Sequence, residues 1–237
     1  MGFINGDLRH NKQVILDTMT AYSGKADVVI FGEAFLQGFY AAAFDAAHDT
    51  QIAASQDDRM IREISSAAKE SAIAVSFGFI EKAGDFFYSS QLTIDADGKV
   101  IDLYRRVSPG WKEASANDQY REGNGFHLFR LNGKEIAAGL CGDLWFDENV
   151  REIRQLKPDA VFWPVYTDFN SNEWNNTIKY EYAAQANRFC KTVLYVNSYC
   201  KDKPGSNFAK GGAALFQDGT IRAEIPSGKE GVLLVDI

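Results

Sequence analysis

The chain has 237 residues, of which 46% are hydrophobic and 24% are charged, and its formal net charge is −7. This composition supplies a packed core and argues against disorder. A negative net charge with scattered basic residues argues against a nucleic-acid-binding protein, which needs a basic face. No run approaches the ~18 apolar residues of a membrane helix, and residues 1–7 do not resemble a signal peptide. We therefore expect a cytoplasmic protein that binds neither nucleic acid nor membrane.

Periodic patterns along the chain predict alternating helices and strands. Helices are predicted at residues 8–22, from Ser55 onward, at 147–156 and at 172–189. Strands are predicted at residues 26–31, 73–80, 86–94, 100–104, 126–131, 135–140, 160–163, 193–197, 213–216, 221–225 and 232–237. Hairpins mixed with helical crossovers indicate mixed rather than purely parallel sheets. With no linker rich in Pro, Gly or Ser, residues 1–237 are predicted to form one domain.

The usual signatures of metal and nucleotide sites are not found in the sequence. The three cysteines are too far apart for a CxxC metal clip, and an odd number in a long chain is no disulfide framework. The histidines show no HxxxH spacing, and neither GxxxxGK[ST] nor GxGxxG occurs. We expect no metal and no cofactor.

Cys141 is the candidate nucleophile. It ends the apolar run IAAGL and precedes Gly142 and a predicted helix. A cysteine on a strand-to-helix turn projects outward, and nearby backbone N–H groups can bind developing negative charge. The alternative is a buried structural cysteine, which the local sequence alone favours.

Glu33 is the candidate general base, and it directly follows a predicted buried strand. A carboxylate in such apolar surroundings costs free energy unless it is paired or functional. The alternative is a loop glutamate that reaches solvent.

Farther along, residues 104–113 carry several cations past the end of a strand. A cation directed into a site would stabilise a thiolate and an oxyanion, whereas the alternative is a solvated strand end.

Taken in order, these segments resemble the nitrilase superfamily of carbon–nitrogen hydrolases, which carries a Glu–Lys–Cys triad. The stretch DVVIFGEAFLQGF resembles the block of the base and puts Glu33 in that position. The stretch GLCGDLWF resembles the nucleophile block, with Cys141 as the nucleophile. GKVIDLYRR and GGAALFQDGTIRAEI also fit, so the resemblance covers nearly the whole chain. It implies a four-layer α-β-β-α sandwich of two mixed sheets flanked by helices, often as a homodimer.

The third member of the triad departs from the family pattern. Arg106 stands where the family has lysine, and arginine keeps the charge but holds its proton too tightly for acid–base steps. Lys112, six residues on, is a second candidate for the catalytic cation. Glu113 falls near the second glutamate of some amidases in the family, and the resemblance therefore implies that it contacts the substrate.

The resemblance implies a cysteine-dependent hydrolase of non-peptide C–N bonds in small amide-like substrates, acting through a thioester. Amidase, ω-amidase and carbamoylase activities are all compatible with it. Gly142 would supply an oxyanion donor, and Trp145 and Tyr166 would contact the substrate. The alternative is a catalytically silent nitrilase-like protein that binds a small metabolite or a protein partner.

Overall fold

A computed structural model describes residues 1–202 and 207–237. The chain forms two compact units, one of Phe3–Asn124 and one of Met1–Gly2 with Gly125–Ile237. Strand β1 (Gly2–Phe3) lies at the boundary between them in sequence. No helix in the described part of the chain is long and apolar enough to cross a membrane. The expectation of a single domain over residues 1–237 stays a prediction.

The unit Phe3–Asn124 contains one four-stranded mixed sheet, three α-helices and two short 3₁₀ helices, Phe39–Ala41 and Pro109–Trp111. Its helices are α1 (Leu8–Tyr22), α2 (Ala46–Ile52) and α3 (Arg59–Ser71). Its strands are β2 (Val28–Ile30), β3 (Ala74–Ala83), β4 (Phe86–Ile94) and β5 (Val100–Arg105), which lie side by side in that order. β2 runs parallel to β3, while β3–β4 and β4–β5 are antiparallel. Because the sheet contains both parallel and antiparallel pairs, the predicted mixed sheet is confirmed in this unit. α1 and α3 pack against each other.

The helices of this unit begin at acidic caps. The Asp7 carboxylate accepts from the His10 N–H at 2.9 Å, and the Asp58 carboxylate accepts from the Met60 N–H at 2.8 Å. Asp58, and not Ser55, therefore starts α3, because its side chain satisfies a backbone donor that the first turn leaves open. α2 was not expected from the sequence, although Asp45 caps it in the same way.

The unit ending at Ile237 contains a six-stranded mixed sheet. Its helices are α4 (Asp147–Leu156), α5 (Ser171–Glu173) and α6 (Lys179–Ala186), and a π-helical segment (Trp174–Ile178) joins the last two. Its strands are β6 (Phe129–Leu131), β7 (Lys134–Ala138), β8 (Ala160–Val165), β9 (Thr192–Asn197), β10 (Tyr199–Cys200), β11 (Ala213–Gln217) and β12 (Thr220–Ile225). The order in the sheet is β12-β11-β9-β8-β7-β6, and β10 is not part of this sheet. The predicted strand at 232–237 is wrong, because this segment joins no ladder and leaves Leu234 54% exposed.

Parallel pairing at the centre of this second sheet positions the residues that follow its strands. β7 runs parallel to β8, and β8 runs parallel to β9. The carboxyl ends of parallel neighbours lie at the same edge, where open α/β sheets bind ligands. Cys141 follows β7 and Tyr166 follows β8. The Gly139 N–H donates to the Phe162 carbonyl at 3.0 Å, which carries the β7–β8 ladder almost to the cysteine.

Candidate active site

Glu33 lies just beyond β2 and is 1% exposed. Its Oε1 accepts two hydrogen bonds, from the Ser89 hydroxyl at 3.0 Å and from Arg106 Nη1 at 2.8 Å. Its Oε2 is buried and accepts none from the residues that the structure describes. One carboxylate oxygen is thus fixed, and the other keeps its lone pairs.

A close approach to β3 holds the turn that carries Glu33. The Gly78 N–H donates to the Gly32 carbonyl at 3.3 Å, and the Leu36 N–H donates to the Gly78 carbonyl at 3.0 Å. A Cβ at Gly78 would lie 2.4 Å from the Ala34 nitrogen and 2.7 Å from the Glu33 Cα. Glycine is therefore required at this point of β3, because any side chain would displace the carboxylate turn.

Arg106 is the cation that the fold brings to Glu33. It follows β5, it is 4% exposed, and its Nε donates to the Ser108 hydroxyl at 3.0 Å. Its backbone N–H donates to the Ser89 carbonyl at 2.9 Å, and its carbonyl accepts from the Gly123 N–H at 2.8 Å. Backbone and side chain are both fixed, so the guanidinium reaches the carboxylate in one defined geometry.

Lys112 has other partners within the same unit. Its ammonium forms an ion pair with Glu122 and donates to the Tyr120 carbonyl at 3.2 Å. Glu113, the next residue, is exposed. Of the two candidate cations named from the sequence, the structure pairs Arg106 with Glu33 and Lys112 with Glu122.

In the other unit, Cys141 opens a 3₁₀ helix, Cys141–Trp145, with a φ of 45°. This left-handed conformation costs a residue with a side chain about 1–2 kcal/mol, and such strain persists where the surroundings impose it. The partly buried thiol donates to the Tyr166 carbonyl at 3.6 Å. The Cys141 carbonyl accepts from the Trp163 indole at 2.9 Å. The cysteine therefore projects from a sharp turn after a strand, as the sequence predicted.

Of the residues expected to bind substrate, Gly142, Trp145 and Tyr166 lie in or near this turn, whereas Glu113 belongs to the unit Phe3–Asn124. Gly142 is its second residue and is partly buried. The Trp145 side chain is 41% exposed and packs edge-on against Tyr182, with ring centroids 5.0 Å apart. Tyr166 approaches the thiol through its backbone carbonyl, whereas its hydroxyl donates to the Asn207 carbonyl at 3.2 Å.

Ser89, Trp163 and Tyr182 were not predicted as site residues from the sequence. Ser89 was detectable in principle, because a polar side chain inside a buried strand requires a partner. Burial raises the pKa of the Tyr182 hydroxyl, and the electrostatic influence of Cys141 raises this pKa further. Trp163 and Tyr182 are aromatic residues of the core, and their sequence gives no sign that they lie beside the cysteine.

No group of three or more His, Cys, Asp and Glu side chains in the described ranges is arranged to hold a metal ion. The polar groups around Glu33 and those around Cys141 instead suit acid–base and nucleophilic chemistry. One has a buried carboxylate held by a cation and a hydroxyl, and the other has a thiol on a strained turn. These are parts that a cysteine hydrolase requires.

The chain belongs to the carbon-nitrogen hydrolase family, whose model matches residues 4–237. It is 24% identical to an (R)-stereoselective amidase of Pseudomonas sp over 220 residues, which are 93% of this chain and 76% of that one. It is 31% identical to the N-carbamoylputrescine amidase of Solanum tuberosum over 103 residues, which are 41% of this chain and 33% of that one. This second match therefore covers only about a third of the plant protein.

Among solved structures, the fold is similar to that of a cysteine-to-alanine mutant of a nitrilase-superfamily amidase from Nesterenkonia AN1. The TM-score is 0.76 at 17% identity, over 95% of this chain and 84% of that one. Another structure of that amidase carries the acetamide moiety of fluoroacetamide covalently added at its active-site cysteine.

These findings confirm the resemblance to the nitrilase superfamily and the α/β class with mixed sheets and flanking helices. The chain is an amidase-like carbon–nitrogen hydrolase, and Cys141 lies at the position of the family's catalytic cysteine.

Proposed function

We propose that the chain hydrolyses the C–N bond of small amides or N-carbamoyl amines through a thioester on Cys141. Glu33 acts as the general base, Arg106 is the fixed cation beside it, and Gly142 is an oxyanion donor. The substrate classes follow the names of the related proteins, an (R)-stereoselective amidase and an N-carbamoylputrescine amidase.

The observation that carries this proposal is the unequal environment of the two oxygens of Glu33. Oε1 accepts from Ser89 and Arg106, whereas Oε2 is buried and accepts from no described residue. Leaving a buried acceptor unpaired costs about 1–3 kcal/mol, so such groups in folded proteins call for an explanation. A general base provides one, because its free oxygen must receive a proton during the reaction.

In the proposed reaction, Glu33 takes the proton of the Cys141 thiol as the sulfur attacks the carbonyl carbon. The tetrahedral intermediate collapses to a thioester when the C–N bond breaks, and Glu33 returns the proton to the leaving amine. Water, deprotonated by the same carboxylate, then attacks the thioester and releases the acid and the thiol. An oxyanion donor such as Gly142 contributes about a hundredfold or more to the rate of such steps.

Arg106 has an electrostatic role in this proposal. A guanidinium stays protonated in proteins, so it cannot relay a proton as a lysine can. Its charge holds Glu33 in place through a 2.8 Å hydrogen bond and offsets the burial of the carboxylate. All proton transfers are therefore assigned to Glu33.

The test measures ammonia release from a panel of small primary amides, N-carbamoyl amines and nitriles by the wild type, Cys141→Ala and Cys190→Ala. The Cys190 thiol is partly buried and donates to the Pro158 carbonyl at 3.6 Å, which makes it a matched control for losing a thiol. We expect turnover of amides or N-carbamoyl amines by the wild type and by Cys190→Ala, and none by Cys141→Ala.

Unchanged turnover by Cys141→Ala would refute the proposal. Wild-type protein that turns over nothing on the panel, and whose Cys141 reacts slowly with iodoacetamide, would instead support the silent binding protein. The homodimer and the cytoplasmic location expected from the sequence stay predictions, and light scattering of the purified protein tests the first.

A further inference from the structure

Side chains from three different elements hold the backbone of the turn that carries Cys141. Each donates one hydrogen bond to a carbonyl of the turn: Trp163 of β8 to Cys141 at 2.9 Å, Asn149 of α4 to Asp143 at 2.8 Å, and Gln185 of α6 to Leu144 at 2.5 Å. Carbonyls at helix ends normally turn to water or to capping groups. Here the rest of the unit fixes the direction in which these carbonyls point.

Of the three donors, Trp163 is the most constrained. It is fully buried on β8, which lies between β7 and β9 in the sheet. Its ring stacks on Tyr182, with centroids 4.9 Å apart and planes at 28°, and meets Phe189 edge-on at 5.5 Å. Close-packed neighbours leave such a ring one rotamer, so the direction of its indole N–H is set by the core.

The hydrogen bond from Trp163 also fixes the next peptide group. In a planar trans peptide the C=O and the N–H point in opposite directions. Holding the Cys141 carbonyl toward the indole therefore directs the Gly142 N–H away from it. The φ of 45° at Cys141 is unfavourable for a residue with a side chain, so the turn depends on external anchors of this kind.

We propose that Trp163 is a positioning residue that orients the Gly142 N–H for binding the oxyanion, acting through the carbonyl of Cys141. The inference rests on the proposed function, in which Cys141 is the nucleophile and Gly142 supplies the oxyanion donor. Trp163 itself does not touch the reacting atoms in this scheme.

The test replaces the indole N–H while keeping the ring. Trp163 is changed to benzothienylalanine, an isostere that has sulfur in place of N–H, and in parallel to Phe. Both variants should lower kcat about tenfold or more, because a misdirected oxyanion donor loses transition-state stabilisation. KM should stay within about twofold, since the donor acts mainly in the transition state.

Alkylation of Cys141 by iodoacetamide gives the second readout. This displacement forms no oxyanion, so its rate and pH profile should remain within about twofold of the wild type. A merely structural role for Trp163 would lower alkylation and turnover together or leave both unchanged. Either of those results would overturn the inference.

Trp174→Phe is the matched control. Trp174 belongs to the same aromatic cluster, stacked on Tyr195 at 4.8 Å, but the indole bonded to the Cys141 carbonyl is that of Trp163. This variant should keep kcat within about twofold while losing comparable packing. If Cys141→Ala keeps its turnover, the proposed function fails; if it is inactive while the benzothienylalanine enzyme keeps kcat, only the role of Trp163 fails.

Discussion

Arg106 Nη1 lies 2.8 Å from Glu33 Oε1, and the two side chains are 4% and 0% exposed. Removing both charges from water is costly, and their attraction offsets that cost only with good geometry and additional hydrogen bonds. Ser89 and Ser108 provide such bonds, one to each partner. The stability of this unit and the proposed chemistry therefore depend on the same few polar atoms.

Two substitutions of Arg106 should separate the effect of its charge from the effect of its shape. Arg106→Gln leaves the Glu33 carboxylate buried without its cation, so we expect it to lower the free energy of unfolding by about 3–5 kcal/mol and to abolish turnover. Arg106→Lys keeps the charge and loses the bond to Ser108, so it should cost less and retain turnover. Urea unfolding and ammonia release measure the two effects. Equal losses for both variants would contradict the importance of the charge.

Ser89 should act on the carboxylate that it holds. Ser89→Ala removes one donor to Glu33, and we expect a cost of about 1.5–3 kcal/mol in stability, as for hydrogen bonds to charged groups, with a severalfold lower kcat. Ser90→Ala is the matched control, because the neighbouring Ser90 hydroxyl donates to Glu81 at 2.7 Å instead. Ser90→Ala should destabilise the protein by a similar amount and leave turnover unchanged. Parallel effects on kcat would argue against a specific role for Ser89.

Substitutions of Lys112 and Arg106 should show which of the two cations the proposed reaction requires. The Lys112–Glu122 pair is partly exposed, with side chains 22% and 29% accessible, and pairs of this kind contribute about 0–1 kcal/mol. Lys112→Gln should therefore have a much smaller effect than Arg106→Gln, both on the free energy of unfolding and on turnover. Unfolding curves and steady-state rates of the two variants, measured side by side, provide the check. A greater loss of turnover for Lys112→Gln would assign the catalytic cation to Lys112.

Stability should fall in alkaline solution because of buried tyrosines. Burial, and then the influence of Cys141, raises the pKa of Tyr182 above its ordinary value of 10.0. Since the unfolded chain loses this proton first, the stability that Tyr182 contributes is complete below about pH 10 and declines as the pH rises above it. Tyr182→Phe should reduce the slope of that decline by about 1.4 kcal/mol per pH unit.

Urea unfolding at a series of alkaline pH values measures this slope. Tyr195→Phe should reduce it too, since burial also raises the pKa of Tyr195 well above its ordinary value. Tyr180→Phe is the control for the loss of an exposed tyrosine hydroxyl. An unchanged slope for Tyr182→Phe would show that its hydroxyl does not titrate differently in the folded state.

Several features were determined by local sequence. The strand before Glu33, the hairpin between β3 and β4 and the strand-to-turn setting of Cys141 all follow from apolar runs and the residues that end them. The sequence predictions that were wrong also have local causes. Asp58 competes with Ser55 as a helix cap, and the apolar residues of 232–237 resemble a strand but join no ladder.

The identity of the cation beside Glu33 could be decided only by the tertiary structure. Arg106 and Lys112 are six residues apart and carry the same charge, so the sequence alone left both open. The path of the chain after β5 decides between them, because it fixes the Arg106 backbone against Ser89 and turns Lys112 toward Tyr120 and Glu122. The same holds for Trp163, whose indole meets the Cys141 carbonyl across 22 residues of sequence. Long side chains find their partners through packing between distant segments, and local periodicity does not encode that packing.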